Sequence, residues 1–379
     1  MKILHTSDWH LGQQLIDARR DDEHRAFLVW LLDLIHDQGI EAVLIAGDVF
    51  DNGMPGNQTL EIYYSFLARA AKSGCRQIIV VGGNHDSPST LHAPRAVLNM
   101  MNVTVLGAVE TDRPETGLVE VKSADGIVRA IVCAVPYLRD RDVYSPQPGE
   151  LDDVRAQGII NGIARWYRKL AMLAVAHRLK LGNPLLPLIA TGHLFAQGGS
   201  SSEQERPIYI GNLGAFSADS FPGEFDYVAL GHLHRPQLVQ GRENIRYCGS
   251  PIPLAFDEAR HGKHVVIIDT DRPREPRTVE VPVFRRLLTV SGDMIEIEKS
   301  LREIKAEGIP SLVQVLYTGI ELLPDLSERV AAITEKLPIR CFCRNQSPSR
   351  RVDIGMTFED INALTPRQVF ERLLDERDL

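Results

Sequence analysis

Short apolar runs rich in β-branched residues set the rhythm of the chain: Lys2–Thr6, Ala42–Ala46, Gln77–Val81, Leu185–Ala190 and Tyr227–Leu230. Runs of this length, bounded by Gly, Asp, Asn and Ser, read as strands. Between the first two, about Asp21–Gln38 reads as a helix. A second helix is expected over Asn57–Ser73, where Leu60, Tyr63, Tyr64, Leu67, Ala70 and Ala71 recur at helical spacing and Gly74 stops the pattern. The first third is therefore β-α-β-α-β, the signature of a layered α/β domain.

Further along, Gly117–Val121 and Val128–Val135 read as strands, followed by a helix near Gln157–Leu181. Ile245–Cys248 and His264–Asp269 read as a strand pair flanking Gly249-Ser250-Pro251-Ile252-Pro253, and the Pro/Arg-rich Arg272–Arg277 reads as a linker. Beyond it, Arg285–Val290, a helix near Asp293–Glu307, Leu312–Tyr317, a helix near Pro324–Leu337 and Ile339–Cys343 form a second β-α-β-α-β unit. A chain of 379 residues exceeds one compact core. The expected division is a large domain over 1–282, a small one over 283–346, and a linker with a C-terminal helix over 347–379. In that last stretch Val369, Phe370, Leu373 and Leu374 share one side of an amphipathic helix.

Composition narrows the setting more than the function. Five cysteines, at 75, 133, 248, 341 and 343, are an odd and scattered set that argues for a reducing compartment. The N-terminal MKILHTSDWH runs straight into a strand without a signal-peptide core, and nothing nears the roughly 18 apolar residues of a membrane span. A cytoplasmic protein with no membrane contact is expected. The net charge of −8 counts against a nucleic-acid substrate on a naive reading. Two divalent ions would add about four positive charges where a phosphate docks, so bulk charge does not decide the matter.

The chemistry lies at the ends of the strands, in HTSDWH (5–10), GDVFD (47–51), GGNHD (82–86), ATGH (190–193) and GHLH (231–234). Asp8 and His10 are two apart at a strand end and share a side of the backbone, as do His232 and His234. Asp48, Asn84 and His193 each follow a glycine, which lets the chain turn tightly against an ion. Alone, an Asp-x-His is usually a solvated loop pair, and Gly-His-Leu-His a hydrogen-bonded histidine pair. Together these seven ligands exceed the needs of one catalytic zinc and suit two ions sharing a carboxylate. Imidazole and hard oxygen without thiolate favour manganese or iron. Such a pair lowers the pKa of a bridging water, clamps the phosphate oxygens and stabilises the leaving alkoxide.

The motif series D-x-H, G-D, G-N-H-[DE], H, G-H-x-H resembles the calcineurin-like metallophosphoesterase superfamily. The resemblance implies a four-layer α-β-β-α sandwich, with Asp8, His10 and His234 on one ion, Asn84, His193 and His232 on the other, and Asp48 bridging. It gives His85 the role of facing the phosphate and Asp86 that of orienting an imidazole. HTSDWHLGQ, GDVFD, YCGSPIPLAFDE (247–258) and LTPRQVFERLL (364–374) are closer still to the SbcD family of nuclease subunits. That likeness implies a manganese-dependent DNA exo- and endonuclease acting with an SbcC-type coiled-coil ATPase on double-strand ends and hairpins. The small domain would cap the site, with Arg285, Arg286, Arg340 and Arg344 as candidate phosphate contacts. A homodimer within a two-plus-two complex is implied, with Leu60, Tyr63, Tyr64 and Leu67 or the apolar positions of 91–101 as its face. The tail helix would dock on the coiled coil. A small-molecule phosphodiesterase with the same metal site is the alternative.

Overall fold

The computed structural model describes residues 1–196, 199, 216–304, 309–320 and 322–345. The expected tail helix, with Val369, Phe370, Leu373 and Leu374, lies outside the described residues. The chain forms two compact units that divide after Arg285.

The first unit is built on two six-stranded sheets. One runs in the order Arg272–Glu280, His264–Asp269, Lys2–Thr6, Ile40–Ala46, Gln77–Val81, Val103–Leu106. Its last four strands are parallel. The other runs Gln237–Val239, Arg242–Tyr247, Tyr227–Gly231, Leu188–His193, Val128–Cys133, Leu118–Lys122, with the middle four parallel and the outer two antiparallel to their neighbours.

Strand alternation decides which side each residue joins. Ala42 and Leu44 turn inward with Ile3, Ile79 and Val81 to meet Val132, Ile189 and Ala229 of the other sheet. Val43 and Ile45 turn outward against Phe27, Leu31 and Phe66 of the helices Asp21–Gln38 and Asn57–Lys72. On the far side, Ala190, Val228 and Leu230 pack against Ile163, Tyr167 and Leu170 of the helix Asp152–Lys180. The result is the expected α-β-β-α sandwich. Burial on both faces explains why the central strands read as unbroken apolar runs. Each such side chain contributes about 1.5–3 kcal/mol.

Tyr63 and Leu67 are buried in this core, and Leu60 and Tyr64 pack against it, so the helix spends its apolar stripe on its own sheet. Trp9 does likewise: it is fully buried, edge-on to Phe27 and Phe66, and donates its Nε1–H to Thr6. The segment expected as a linker is part of the edge strand Arg272–Glu280, paired antiparallel with His264–Asp269. Prolines misled the reading there. Pro273 and Pro276 cannot donate to a ladder, which an edge strand tolerates.

Among the polar side chains buried in this unit are two histidines away from the strand-end motifs, His5 and His24. His5 places Nδ1 3.0 Å from the Tyr227 hydroxyl and Nε2 3.2 Å from the Leu230 carbonyl, across the two sheets. Burial pushes the pKa of His5, and likewise that of His24, down to about 3. Unfolded imidazoles titrate near 6.5, so between these values the unfolded chain binds protons that the fold refuses. Stability therefore falls as pH drops below about 6.5, by up to ~1.4 kcal/mol per pH unit for each group. Urea unfolding in EDTA at a series of pH values is expected to show this, with a shallower dependence in His24→Gln. An unchanged slope in that variant would count against a neutral His24 in the fold.

The second unit is smaller. Its parallel strands Arg286–Gly292, Ser311–Tyr317 and Ile339–Asn345 are joined by the helices Met294–Glu303 and Leu326–Thr334, the expected β-α-β-α-β. Asp293 caps the first helix, accepting from the Ile295 and Glu296 amides while Glu296 accepts from the amide of Asp293 itself. Val290, Ile297, Leu301, Val313, Val315 and Val330 form its core, and Cys341 and Cys343 border it as free thiols. Among the described residues of the chain, no helix is long and apolar enough to cross a membrane.

Candidate metal centre

The loops that follow the parallel strands converge at the carboxyl ends of both sheets, where open α/β sheets bind their ligands. Lys2–Thr6 delivers Asp8 and His10, Ile40–Ala46 delivers Asp48, and Gln77–Val81 delivers Asn84 and His85. His193 ends its own strand, and Tyr227–Gly231 leads into His232 and His234. The loops are stitched to one another by the backbone. The Asp8 amide donates to the Gly47 carbonyl at 3.0 Å, and the His10 amide to the Asp48 carbonyl at 3.0 Å. Carboxylates add to this: Asp8 accepts from the His232 amide and Asp48 from the His85 amide, both at 2.8 Å.

Four of the seven candidate ligands hold left-handed backbone. The φ values are 53° for Asp8, 46° for His10, 47° for Asp48 and 105° for His232. Such conformations cost about 1–3 kcal/mol each outside glycine and persist where the surroundings enforce them. The side chains meet in two groups, Asp8 with His10 and His234, and Asp48 with His193 and His232, each with ligand atoms within 4.8 Å of one another. Asn84 joins the second group through its Oδ1, 2.8 Å from His193 Nε2.

The hydrogen bonds fix what these atoms can do. His193 Nδ1 lies 3.0 Å from the Ala46 carbonyl and so carries the proton. Its Nε2 then faces two acceptors, Asn84 Oδ1 and, at 3.1 Å, Asp48 Oδ2. His10 repeats the pattern, with Nδ1 3.4 Å from Asp51 Oδ1 and a buried Nε2 that makes no hydrogen bond, 3.5 Å from Asp48 Oδ2. Ring nitrogens and carboxylate oxygens thus converge on one spot, a donor set for cations. Two hard carboxylates, an amide oxygen and imidazoles fit divalent ions of the first transition row.

Electrostatics agree. Burial alone would raise the Asp48 carboxyl, but His193 and His10 outweigh it and hold it far below the carboxylate range. Burial works against a charged His193, yet Asp48 and Asp8 push it up to about 9. The carboxylates draw positive charge to this spot. Burial, reinforced by His193, drives His232 the other way, toward the neutral ring a ligand needs.

Asp8, His10, Asp48, His193, His232 and His234 are all buried, whereas Asn84 and His85 are half-buried. The cluster therefore meets solvent on the His85 side. His85 lies edge-on to His10, ring centroids 4.7 Å apart, and donates Nδ1–H to the Asp51 carbonyl at 2.8 Å.

The first 236 residues match the family model for calcineurin-like phosphoesterases, and residues 283–378 match one described as the type 5 capsule protein repressor C-terminal domain. The chain is 37% identical to the SbcD polypeptide of the nuclease SbcCD from Escherichia coli K12 over 386 aligned residues, covering 100% of this chain and 94% of that one. Its counterpart in Rhodobacter capsulatus is 37% identical over 90% of this chain and 86% of its own length, and that of Bacillus subtilis 33% over 73% and 68%. This chain belongs to the SbcD family of calcineurin-like phosphoesterases. It is a metal-dependent phosphoesterase.

Several residues expected to contribute do something else. Among the described residues Asp86 makes no hydrogen bond to an imidazole; its carboxylate accepts from the amides of Val49, Phe50 and Gly83 at 2.9–3.1 Å and so pins one loop to the other. Arg285 is not an open phosphate contact, because its guanidinium pairs with Glu23 at 3.2 Å and its side chain is only 17% exposed. Arg340 and Arg344 are exposed. Conversely, sequence reasoning passed over Asp51, which closes GDVFD and holds both His10 and His85. It also passed over Glu258, at the end of YCGSPIPLAFDE, which reaches His234.

Proposed function

We propose that this protein is the nuclease subunit of an SbcC–SbcD type complex, a manganese-dependent DNA exo- and endonuclease acting on double-strand ends and hairpins. The observation that carries this reading is the adjacency of two groups of potential cation ligands, with His10 Nε2 of one 3.5 Å from Asp48 Oδ2 of the other, in a chain aligned end to end with nuclease subunits. Asp8, His10 and His234 would hold one ion and Asn84, His193 and His232 the other, with Asp48 shared by the two. Two bound divalent ions supply an activated water and neutralise the phosphodiester's charge.

The protein's own groups do the rest. The half-buried Asn84 and His85 form the side from which the phosphate enters. Because His85 Nδ1–H donates a hydrogen bond to the Asp51 carbonyl, Nε2 is the atom left to exchange a proton with the leaving oxygen. Asp51 holds His10 as well, so one residue sets a metal ligand and the phosphate-facing imidazole together. The C-terminal part of the chain, matched by its own family model over residues 283–378, contacts DNA and the coiled-coil ATPase. Val97 and Met100, 63% and 86% exposed, offer an apolar face for a homodimer. The five free cysteines suit the cytoplasm.

Cleavage of a blunt-ended duplex with added manganese tests the reading, with His85→Gln and Asp8→Ala as variants and bis-para-nitrophenyl phosphate in parallel. Metal-dependent DNA cleavage lost in both variants is expected. If the small diester alone is hydrolysed, even after an SbcC-type ATPase and ATP are added, the protein is a small-molecule phosphodiesterase instead.

A further inference from the structure

Behind His234, on the side away from Asp8, lies a buried charged network that no step of the reaction uses directly. Glu258 is fully buried, and its Oε1 sits 3.0 Å from His234 Nδ1. Its Oε2 accepts from Lys263 Nζ at 2.6 Å, from the Leu254 amide at 3.1 Å and from the Ser250 hydroxyl at 3.2 Å. Lys263 is itself buried, and its ammonium also donates to the His234 carbonyl at 2.9 Å and to Ser250 Oγ at 2.8 Å. The Ser250 amide meets the same carbonyl at 3.1 Å. Gly249 permits this approach: at φ 78°, a Cβ there would lie 2.7 Å from the His234 carbonyl oxygen. One network therefore grips both the backbone and the ring of His234.

Stability does not account for it. A buried ion pair is often no better for folding than apolar side chains of the same volume, since both charges lose their hydration. Orientation does account for it. A carboxylate has no proton to give, so Nδ1 must be the protonated nitrogen of the ring, and Nε2 then carries the lone pair. The negative charge behind the ring also makes that lone pair a stronger donor to a cation.

We propose that Glu258 and Lys263 are positioning residues for the metal centre, holding His234 with its proton on Nδ1 so that Nε2 is offered to the ion shared with Asp8 and His10. The inference rests on the reading of this cluster as a metal site, and it makes the GSPIPLAFDE stretch a support for one ion of the pair. Glu258→Gln gives it a sharp test. The new amide must aim its oxygen either at His234 or at the donors Lys263 and Leu254, and neither of those can become an acceptor while Lys263 keeps its charge. The oxygen stays with them, the NH2 group faces His234, and the ring is forced into the opposite tautomer with its proton on Nε2.

Nitrogen-15 spectra of the histidine rings in EDTA-treated protein at alkaline pH read this without any activity assay, with His234→Gln assigning the resonance. The Nδ1–H tautomer is expected for His234 in the wild type and the Nε2–H tautomer in Glu258→Gln. Manganese calorimetry on the same proteins is expected to show two binding events in the wild type. In the variant one of them should be weakened about 10–100-fold and the other unchanged. A wild-type ring in the Nε2–H form overturns the inference whatever the variant does, as does a variant that binds both ions normally. A wild type that has the expected tautomer but binds no divalent ion sinks the metal reading itself, and the positioning role with it.

Discussion

Asp48→Asn is expected to abolish hydrolysis, with turnover of bis-para-nitrophenyl phosphate under saturating manganese falling about 1,000-fold or more. The two oxygens of Asp48 have different tasks. Oδ1 accepts the His85 amide at 2.8 Å, while Oδ2 faces His10 Nε2 at 3.5 Å and His193 Nε2 at 3.1 Å. An amide of the same shape must keep its oxygen toward the His85 N–H, which leaves its NH2 group where Oδ2 was. That group donates into the imidazole lone pairs and fills the space where a shared cation belongs. Both manganese binding events should weaken together, unlike Glu258→Gln, which is expected to affect one. The fold should persist, because the substitution removes a buried charge without changing volume. Calorimetry alongside the turnover assay separates loss of metal from loss of chemistry. Activity within about tenfold of the wild type would show that Asp48 bridges nothing.

Much of this centre is legible in the sequence because metal ligation is local. Asp-x-His, Gly-Asp, Gly-Asn-His and Gly-His-x-His each place their candidate ligands by strand parity and one tight turn, so spacing along the chain carries the geometry. The sandwich is legible for a related reason: apolar runs such as Ala42–Ala46 record burial on both faces. What supports the ligands is not written locally. Glu258 lies 24 residues from His234, and Lys263 lies 29 from it. Only the way the chain turns through Gly249 brings them together, and no spacing rule states it. Asp86 misled for a simpler reason. A carboxylate two residues from a ligand suggests an imidazole partner, but three amides of crossing loops were nearer. Arg272–Arg277 failed on propensity, since prolines that veto a central strand are admissible at an edge. Arg285 could not be read at all, because Glu23, with which it pairs, is distant in sequence.

Gly83→Ala is expected to be nearly as damaging as loss of Asp48, although it removes no functional group. A Cβ at this position would lie 2.1 Å from Asp48 Oδ1 and 2.3 Å from the Asp48 backbone nitrogen. Both are far inside van der Waals contact, and neither atom belongs to a flexible side-chain end. The Asp48 carboxylate is tied to the His85 amide, and the turn behind it is tied through Val49 and Phe50 to Asp86. Relief therefore has to come from moving one whole loop against the other by about an ångström, and a displacement of that size at a reacting centre costs on the order of 100-fold in rate. Because Asn84 and His85 ride on the displaced loop, the ion proposed for Asn84 and the proton transfer proposed for His85 should suffer together. Gly223→Ala serves as the control, since its Cβ would meet nothing within 4 Å and its backbone is not left-handed. The expected result is a loss of about 100-fold or more in manganese-dependent turnover for Gly83→Ala, with Gly223→Ala unchanged. Near-normal turnover in Gly83→Ala would mean that the GDVFD and GGNHD loops can part without disturbing the chemistry, and that the close packing around Asp48 is incidental to it.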